Sequence, residues 1–306
     1  MPAIKYQMQK YLTQFFIFLF LCLKLQFAFA QPAIWQLEHK NKTSFLFGTI
    51  HASQADMLAA TQGILEQLPQ VDTLVTEINL SQTKPAEINQ LILKIAHLAK
   101  PKSLSNLLNS NQHNQLNNKL KTWQLNIASF DSLKPWFVAL QLSVLQASNS
   151  GYDFQQSIDL YVTNWASKND ISTLGLETFQ QQLEIFDQQA DYGIEMLMET
   201  LVQLDNKDYQ IANIADMWRN GDLAGLEQIL IAANQAQKNQ FVQQELLSKR
   251  NKAWIKKLKP MLSNQTNLIA VGLMHMVGKD NLLQLLTQNQ IKVSRLNDFN
   301  VASTDK

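Results

Sequence analysis

Two short apolar runs, each closed by glycine and followed three residues later by histidine, stand near opposite ends of the chain. Ser44-Phe45-Leu46-Phe47 precedes Gly48-Thr49-Ile50-His51, and Asn267-Leu268-Ile269-Ala270-Val271 precedes Gly272-Leu273-Met274-His275. An apolar run of four or five residues ending in a glycine turn reads as a buried strand, and a helix-like segment follows each. Glycine suits such a turn because it accepts backbone conformations that a side chain forbids and lets another group come close. Each histidine then leaves the carboxyl end of its strand, the edge of an open α/β sheet where ligands bind. With 9 Gly and 5 His in 306 residues, chance supplies about 0.15 such tetrapeptides. A pair in matching contexts therefore points to two histidines delivered to one site.

The rest of the chain fits an α/β fold whose central sheet is built from two strand–Gly-x-x-His–helix–strand units. Ile34-Trp35-Gln36-Leu37-Glu38 and Ser44–Phe47 flank the polar stretch 39–43 and predict a β-hairpin. A helix is predicted from about Ala55 to Leu68, stopped by Pro69, and then a strand over Val71–Ile78 that contains Glu77. From about Thr83 to Pro260 the pattern is mostly helical. Leu91, Ile92, Ile95 and Leu98 share one helix face, as do Ile194, Leu197, Met198, Leu201 and Val202, and Pro135 opens an apolar helix. One strand near 171–176, ending at Glu177, interrupts this helical insertion. Strand 267–271, a helix from about Lys279 to Gln288 and a strand over Ile291-Lys292-Val293 then repeat the opening unit.

The first thirty residues are of another kind. Lys5 and Lys10 precede the apolar run 15–23, and Ala28-Phe29-Ala30 forms an A-x-A site, the pattern of a secretory signal peptide cleaved after Ala30. Lys24 ends that run after nine residues, short of the ~20 that a spanning helix needs. The expected mature chain, residues 31–306, is then a single domain that is periplasmic or secreted, with no stable membrane span. Losing Lys5, Lys10 and Lys24 with no acid takes the net charge from +1 to −2, which gives no footprint for nucleic acid. The one cysteine, Cys22, leaves with the leader, so a cysteine nucleophile, a thiolate metal site and a disulfide framework are excluded.

Four strands thus end in candidate ligands: His51, Glu77, Glu177 and His275. Imidazole nitrogens combined with carboxylate oxygens suit zinc, manganese, iron or cobalt, whereas an all-oxygen site suits calcium or magnesium. A catalytic metal held this way keeps one position open for water and lowers its pKa toward neutrality, and a remaining carboxylate can serve as general base. His39, His97 and His113 fall in a turn, on a helix and in an Asn/Gln-rich stretch, where solvated surface is the expectation.

Over nearly the whole mature chain these residues resemble the TraB/PrgY/GumN (TraB/GumN, Tiki-like) family. The resemblance is carried by Ile34-Trp35, Phe45-Leu46-Phe47-Gly48-Thr49-Ile50-His51 and Val75-Thr76-Glu77. It continues through Asp159, Leu176-Glu177-Thr178 with Gln182, Gly221-Asp222, Arg250-Asn251 with Trp254, and Val271–Gly278. Ser157 stands where the family usually has glycine, Met276 where it has leucine, and Lys279-Asp280-Asn281 where a further glycine often opens the last helix. The resemblance implies a fold similar to the erythromycin-esterase-like and ChaN-like proteins. Animal members of the family are metal-dependent proteases using manganese or cobalt; other members are linked to pheromone shutdown or to polysaccharide gene clusters.

The expected roles follow. His51, His275 and Glu77 are metal ligands for a divalent transition metal (manganese, cobalt or zinc), and Glu177 is either a further ligand or the base. Asp159 and Asn251 orient ligands from behind, and Gly48 and Gly272 form the turns. Arg250 either stabilises a developing oxyanion or neutralises buried acids. The expected function is a metal-dependent hydrolase, most plausibly a peptidase, acting on a peptide or small molecule. The alternative is a non-catalytic protein of the same fold that sequesters a peptide or saccharide.

Overall fold

A computed structural model describes residues 31–79, 84–236 and 240–296. The expected leader with its cleavage point, and Thr83, lie outside these residues. Strands β1 (Ile34–His39) and β2 (Lys42–Thr49) form the predicted hairpin. Lys40 and Asn41 close it with φ of 45° and 62°, the two left-handed residues of a turn whose twist matches antiparallel strands.

With β3 (Thr73–Ile78), β4 (Ser172–Glu177), β5 (Asn267–Gly272) and β6 (Lys292–Arg295) they make a mixed sheet in the order β4-β3-β5-β2-β1-β6. β4, β3, β5 and β2 are parallel neighbours, whereas β1 is antiparallel to both β2 and β6. The inner strands β3, β5 and β2 are buried nearly throughout, as continuous apolar runs in parallel sheets are, while β4 and β6 expose the edges.

Among the helices are α1 (Ala55–Gln67), α2 (Pro85–Ile95), α3 (Leu104–Leu107), α4 (Ser110–Thr122), α5 (Pro135–Asn149), α6 (Ile158–Lys168) and α7 (Phe179–Asp187). After them come α8 (Gly193–Gln203), α9 (Ile211–Asn220), α10 (Leu223–Ala236), α11 (Lys249–Asn264) and α12 (Leu282–Gln288). A π-helical turn, Val242–Ser248, leads directly into α11. Helix α6 packs on α1 and on β3, β4 and β5, whereas α11 packs on α12 and on β1 and β2. Helices α2 to α5, α7 and α8 also build an apolar core of their own, with Leu104, Leu116, Leu120, Trp136, Leu142 and Leu197 among its residues.

The two glycine–histidine units interleave: β5 inserts between β2 and β3, and β6 returns beside β1. Two expectations are corrected in detail. The last helix begins at Leu282, because Gly278 and Asp280 take positive φ and the Asn281 side chain accepts from Gln284 N at 3.0 Å to cap it. Helix α11 runs four residues past Pro260, with Leu258 and Leu262 buried on either side of the proline.

This topology fixes where a site can be. From the carboxyl end of β2 the chain crosses through α1 to β3, and from the adjacent end of β5 it crosses the other way, through α12, to β6. Right-handed crossovers in opposite directions place their helices on opposite faces of the sheet. The crevice between them, at the ends of β2 and β5, is a topological switch point. His51 and His275 follow those two strand ends.

Candidate metal centre

His51 and His275 line one cavity of about 400 Å³ together with Thr49, Glu77, Gln182 and Arg250. Its wall is apolar and comes from the helical region, through Ile185 and Phe186 of α7, Ile214 and Trp218 of α9, and Leu246 and Leu247 of the π turn. π-turns bulge the helix and recur at functional sites. Here the turn directly precedes Arg250.

Each histidine is held from behind. Asp159, in the first turn of α6, accepts from Thr49 Oγ1 at 2.6 Å and lies 3.0 Å from His51 Nδ1. That helix start is fixed by the Ser157 side chain, which caps it, and by a bond from Ile158 N to Ile50 O. Although the His51 side chain is 67% exposed, the Asp159 carboxylate beside its Nδ1 raises its pKa to about 9.

His275 is buried and sits 4.2 Å from the Trp254 ring. Its Nδ1 lies 2.6 Å from Asn251 Oδ1, and the Asn251 amide is oriented by donating to Asp280 O at 3.0 Å. Arg250 Nη1, which can only donate, lies 3.3 Å from His275 Nε2, so the proton belongs on Nδ1 and the Nε2 lone pair accepts from the guanidinium. Burial, reinforced by the Arg250 charge, lowers this imidazole to about 3 and keeps it neutral.

Glu77 ends β3 beside the end of β5. Its Oε1 accepts from Gly272 N at 2.8 Å and stands 3.7 Å from His275 Nε2, while its Oε2 accepts from Arg250 Nη2 at 2.5 Å and Gln182 Nε2 at 3.1 Å. Burial alone would raise this carboxyl. The histidine and Arg250 charges and the Gly272 N–H overcome that penalty and hold it at about 2.

Glu177 is set further back and does not line the cavity. It accepts from Arg250 Nε at 3.0 Å, from Trp254 Nε1 at 2.8 Å and more loosely from Gln182. Arg250 therefore joins both acids and the second histidine, with its guanidinium carbon 4.7 Å from the Trp254 ring centroid. Of its two expected roles, neutralising buried acids is what this arrangement displays.

The turn glycines serve close approach. A methyl on Gly272 would lie 3.1 Å from Glu77 Oε1, and one on Gly48 would run into the Leu273 side chain. Gly48 also offers its carbonyl to Trp218 Nε1 at 2.8 Å. Sequence reasoning assigned no task to Thr49, to Gln182 or to the α7, α9 and π-turn wall. His39, His97 and His113 are half-buried rather than fully solvated, and none of them lines the cavity.

The donor set suits a divalent transition metal in kind. One imidazole is neutral, and both histidines have one nitrogen fixed by an oxygen, as in carboxylate–histidine–metal arrangements. Among the described residues, however, no three His, Cys, Asp or Glu side chains are already drawn together around one point, and Arg250 stands between Glu77 and His275. Metal loading would require the guanidinium to yield its contact with His275 Nε2.

Comparison with known proteins places the chain. The model described as "TraB/PrgY/gumN family" matches residues 33–295. The proteins named "Uncharacterized protein YbaP" from Shigella flexneri and from Escherichia coli (strain K12) are similar to it. Each is 24% identical over 255 residues, spanning 83% of this chain and 92% of the relative. No solved structure matches significantly.

Proposed function

Because this chain belongs to the TraB/PrgY/gumN family, we propose that it is a metal-dependent hydrolase that cuts a peptide in the cleft at the ends of β2 and β5. The observation that carries the reading is the pair of backed histidines. Asp159 behind His51 and Asn251 behind His275 hold each imidazole through Nδ1, so that each Nε2 would meet a ligand in one cavity once Arg250 yields its contact with His275, and Glu77 supplies a carboxylate there. His51, His275 and Glu77 would hold manganese, cobalt or zinc. Such an ion, when bound, supplies Lewis acidity and makes water nucleophilic near neutral pH.

The chain's own groups do the rest. Glu77, held at about 2, is ionised across the physiological range, which suits a ligand better than a base. Glu177 and Trp254 anchor Arg250, which lines the cavity, and this guanidinium, besides compensating the acids, would be the cation available to a developing anionic oxygen. The finer fold kinship, to erythromycin-esterase-like and ChaN-like proteins, belongs to the same proposal. So does a periplasmic or secreted location, which rests on the leader pattern; among the described residues no helix is long and apolar enough to cross a membrane.

The test is metal-dependent stability together with turnover. Manganese, cobalt or zinc at a hundredfold excess over Kd should stabilise the chain by about 2.7 kcal/mol, seen as a rise in Tm. The same ion should support cleavage of fluorogenic peptides. His51→Ala and His275→Ala should abolish both effects, and a wild-type chain that none of the three ions stabilises overturns the reading. A second reading, a binder that sequesters a peptide without cutting it, is favoured by one observation: Arg250 engages both acids, so no carboxylate is free to act as base. Recovery of intact peptide from a metal-loaded complex would select it.

A further inference from the structure

A second cavity, of about 250 Å³, opens beside the first and shares Ile214 with it. Ser143, Gln146 and Ala147 of α5, Thr200 and Gln203 of α8, and Tyr209 and Gln210 before α9 contribute to its lining. The stripe that joins the two cavities lies on α9. Ile211 lines the second, Ile214 lines both and Trp218 lines the first, at the i, i+3, i+7 spacing of one helix face. At 1.5 Å per residue, Ile211 and Trp218 are about 10 Å apart along the axis. An extended polypeptide covers that distance in about three residues.

The chemistry of the second cavity differs from that of the first. Among the described residues, no Asp, Glu, Lys, Arg or His lines it. The half-buried side-chain amides of Gln146, Gln203 and Gln210 make no hydrogen bond to other described residues, while the Ser143 hydroxyl donates to Ala139 O. A primary amide carries both a donor and an acceptor, which matches the N–H and C=O of a peptide unit. Apolar Leu204, Ile211 and Ile214 leave room between these amides for an uncharged side chain.

We propose that the two cavities form one extended groove. An apolar side chain of the substrate occupies the cavity at the histidines, and the backbone about three residues away is held by Gln203 and Gln210 in the second. This rests on the peptide reading of the same cleft and adds to it a length requirement and a preference for uncharged sequence. A saccharide chain is the competing occupant. It is disfavoured because the first cavity is walled by Ile, Leu and Phe side chains rather than by the polar groups that many hydroxyls need.

Binding tests this apart from hydrolysis. Titrate the metal-free protein, by tryptophan fluorescence and calorimetry, with N-acetylated, amidated Ala-Leu and with the corresponding hexapeptide of three Ala-Leu repeats, and with maltohexaose. Two added hydrogen bonds, at about 1 kcal/mol each, make the hexapeptide bind more than tenfold tighter than the dipeptide. In the Gln203→Ala/Gln210→Ala double variant, whose altered positions are half-buried, this ratio falls toward one. Thr200→Trp, which fills the second cavity, lowers it as well. The proposal is overturned if the two peptides bind alike, if the double variant keeps the ratio, or if maltohexaose binds tighter than the hexapeptide. A chain that shows the length dependence but cleaves nothing retains the groove and loses the hydrolase.

Discussion

Replacing Arg250 by methionine removes the cation that serves two buried carboxylates while keeping an apolar stem against Trp254. The three side chains are 11% (Arg250), 8% (Glu77) and 11% (Glu177) exposed, so water cannot take over the pairing. Breaking a buried pair by removing one partner costs about 3–5 kcal/mol. The Glu77 titration gives a similar figure. A carboxyl held at about 2 instead of its ordinary 4.5 is stabilised as the anion by about 3 kcal/mol, at 1.36 kcal/mol per pH unit. Arg250 shares that stabilisation with the histidines and the Gly272 N–H, so about 3 kcal/mol is the appropriate magnitude, and it lowers Tm by about 6–12 °C in a chain of this size. The pH dependence fixes the sign. Because the folded pKa of Glu77 is depressed, its contribution is complete above 4.5 and is lost as pH falls toward 2. Thermal melts of R250M and wild type should therefore differ most at pH 7, by less than half as much at pH 3, and converge only below about pH 2. A variant melting within about 1 °C of wild type at pH 7, or a deficit unchanged at pH 3, would refute the pairing as the source of the stability.

Asp159→Asn should drop the His51 titration from about 9 toward 6.5, read by NMR of the imidazole protons, and a His51 still titrating near 9 would show that another group raises it. Since the folded pKa is the raised one, the stability involved is complete below 6.5 and lost as pH rises through 9, so the D159N deficit shrinks over that window. Gly48→Ala should destabilise by about 1–3 kcal/mol in urea unfolding, because the new methyl meets the Leu273 side chain in a packed core; a neutral effect would mean that Leu273 repacks freely. Elemental analysis of the metal-loaded protein should give one divalent ion per chain, and two would contradict the charge of the site.

The strands at the heart of the site could be read from local pattern, because a strand buried on both faces must be apolar throughout and its glycine ends recur at 48 and 272. The acids at 77 and 177 followed from the same reading. The pairing of Arg250 with these acids stays one of two alternatives at the level of sequence. Arg250 lies 173 residues from Glu77 and 73 from Glu177, and no sequence pattern says which carboxylate a helical arginine meets. The cavity wall was hidden for another reason. Ile214, Trp218 and Leu246 sit at helical spacing, and a stripe of that kind looks the same whether it faces another helix or a cleft. The interleaving of β5 between β2 and β3 was likewise invisible, since hydrogen-bonding neighbours in a parallel sheet need not be neighbours in the chain.

Topology and charge together restrict what the cleft can hold. The crossovers from β2 and β5 leave in opposite directions, so the two histidines reach one crevice from separate loops, each backed by a residue from a further helix: Asp159 from α6 and Asn251 from α11. Around them stand three carboxylates, Asp159, Glu77 and Glu177, and one guanidinium, Arg250. With His275 neutral and His51 protonated, as a pKa of about 9 sets at neutral pH, three negative charges and two positive leave −1 in surroundings of low dielectric, where an uncompensated charge is expensive. On the proposed reading, one divalent cation that displaces the His51 proton would bring that to zero. A second would leave +2, with no further carboxylate among the cavity's described lining residues to answer it. On that reading the charge of the site suits a single ion, and Arg250 is the cation that keeps Glu77 and Glu177 compensated without it.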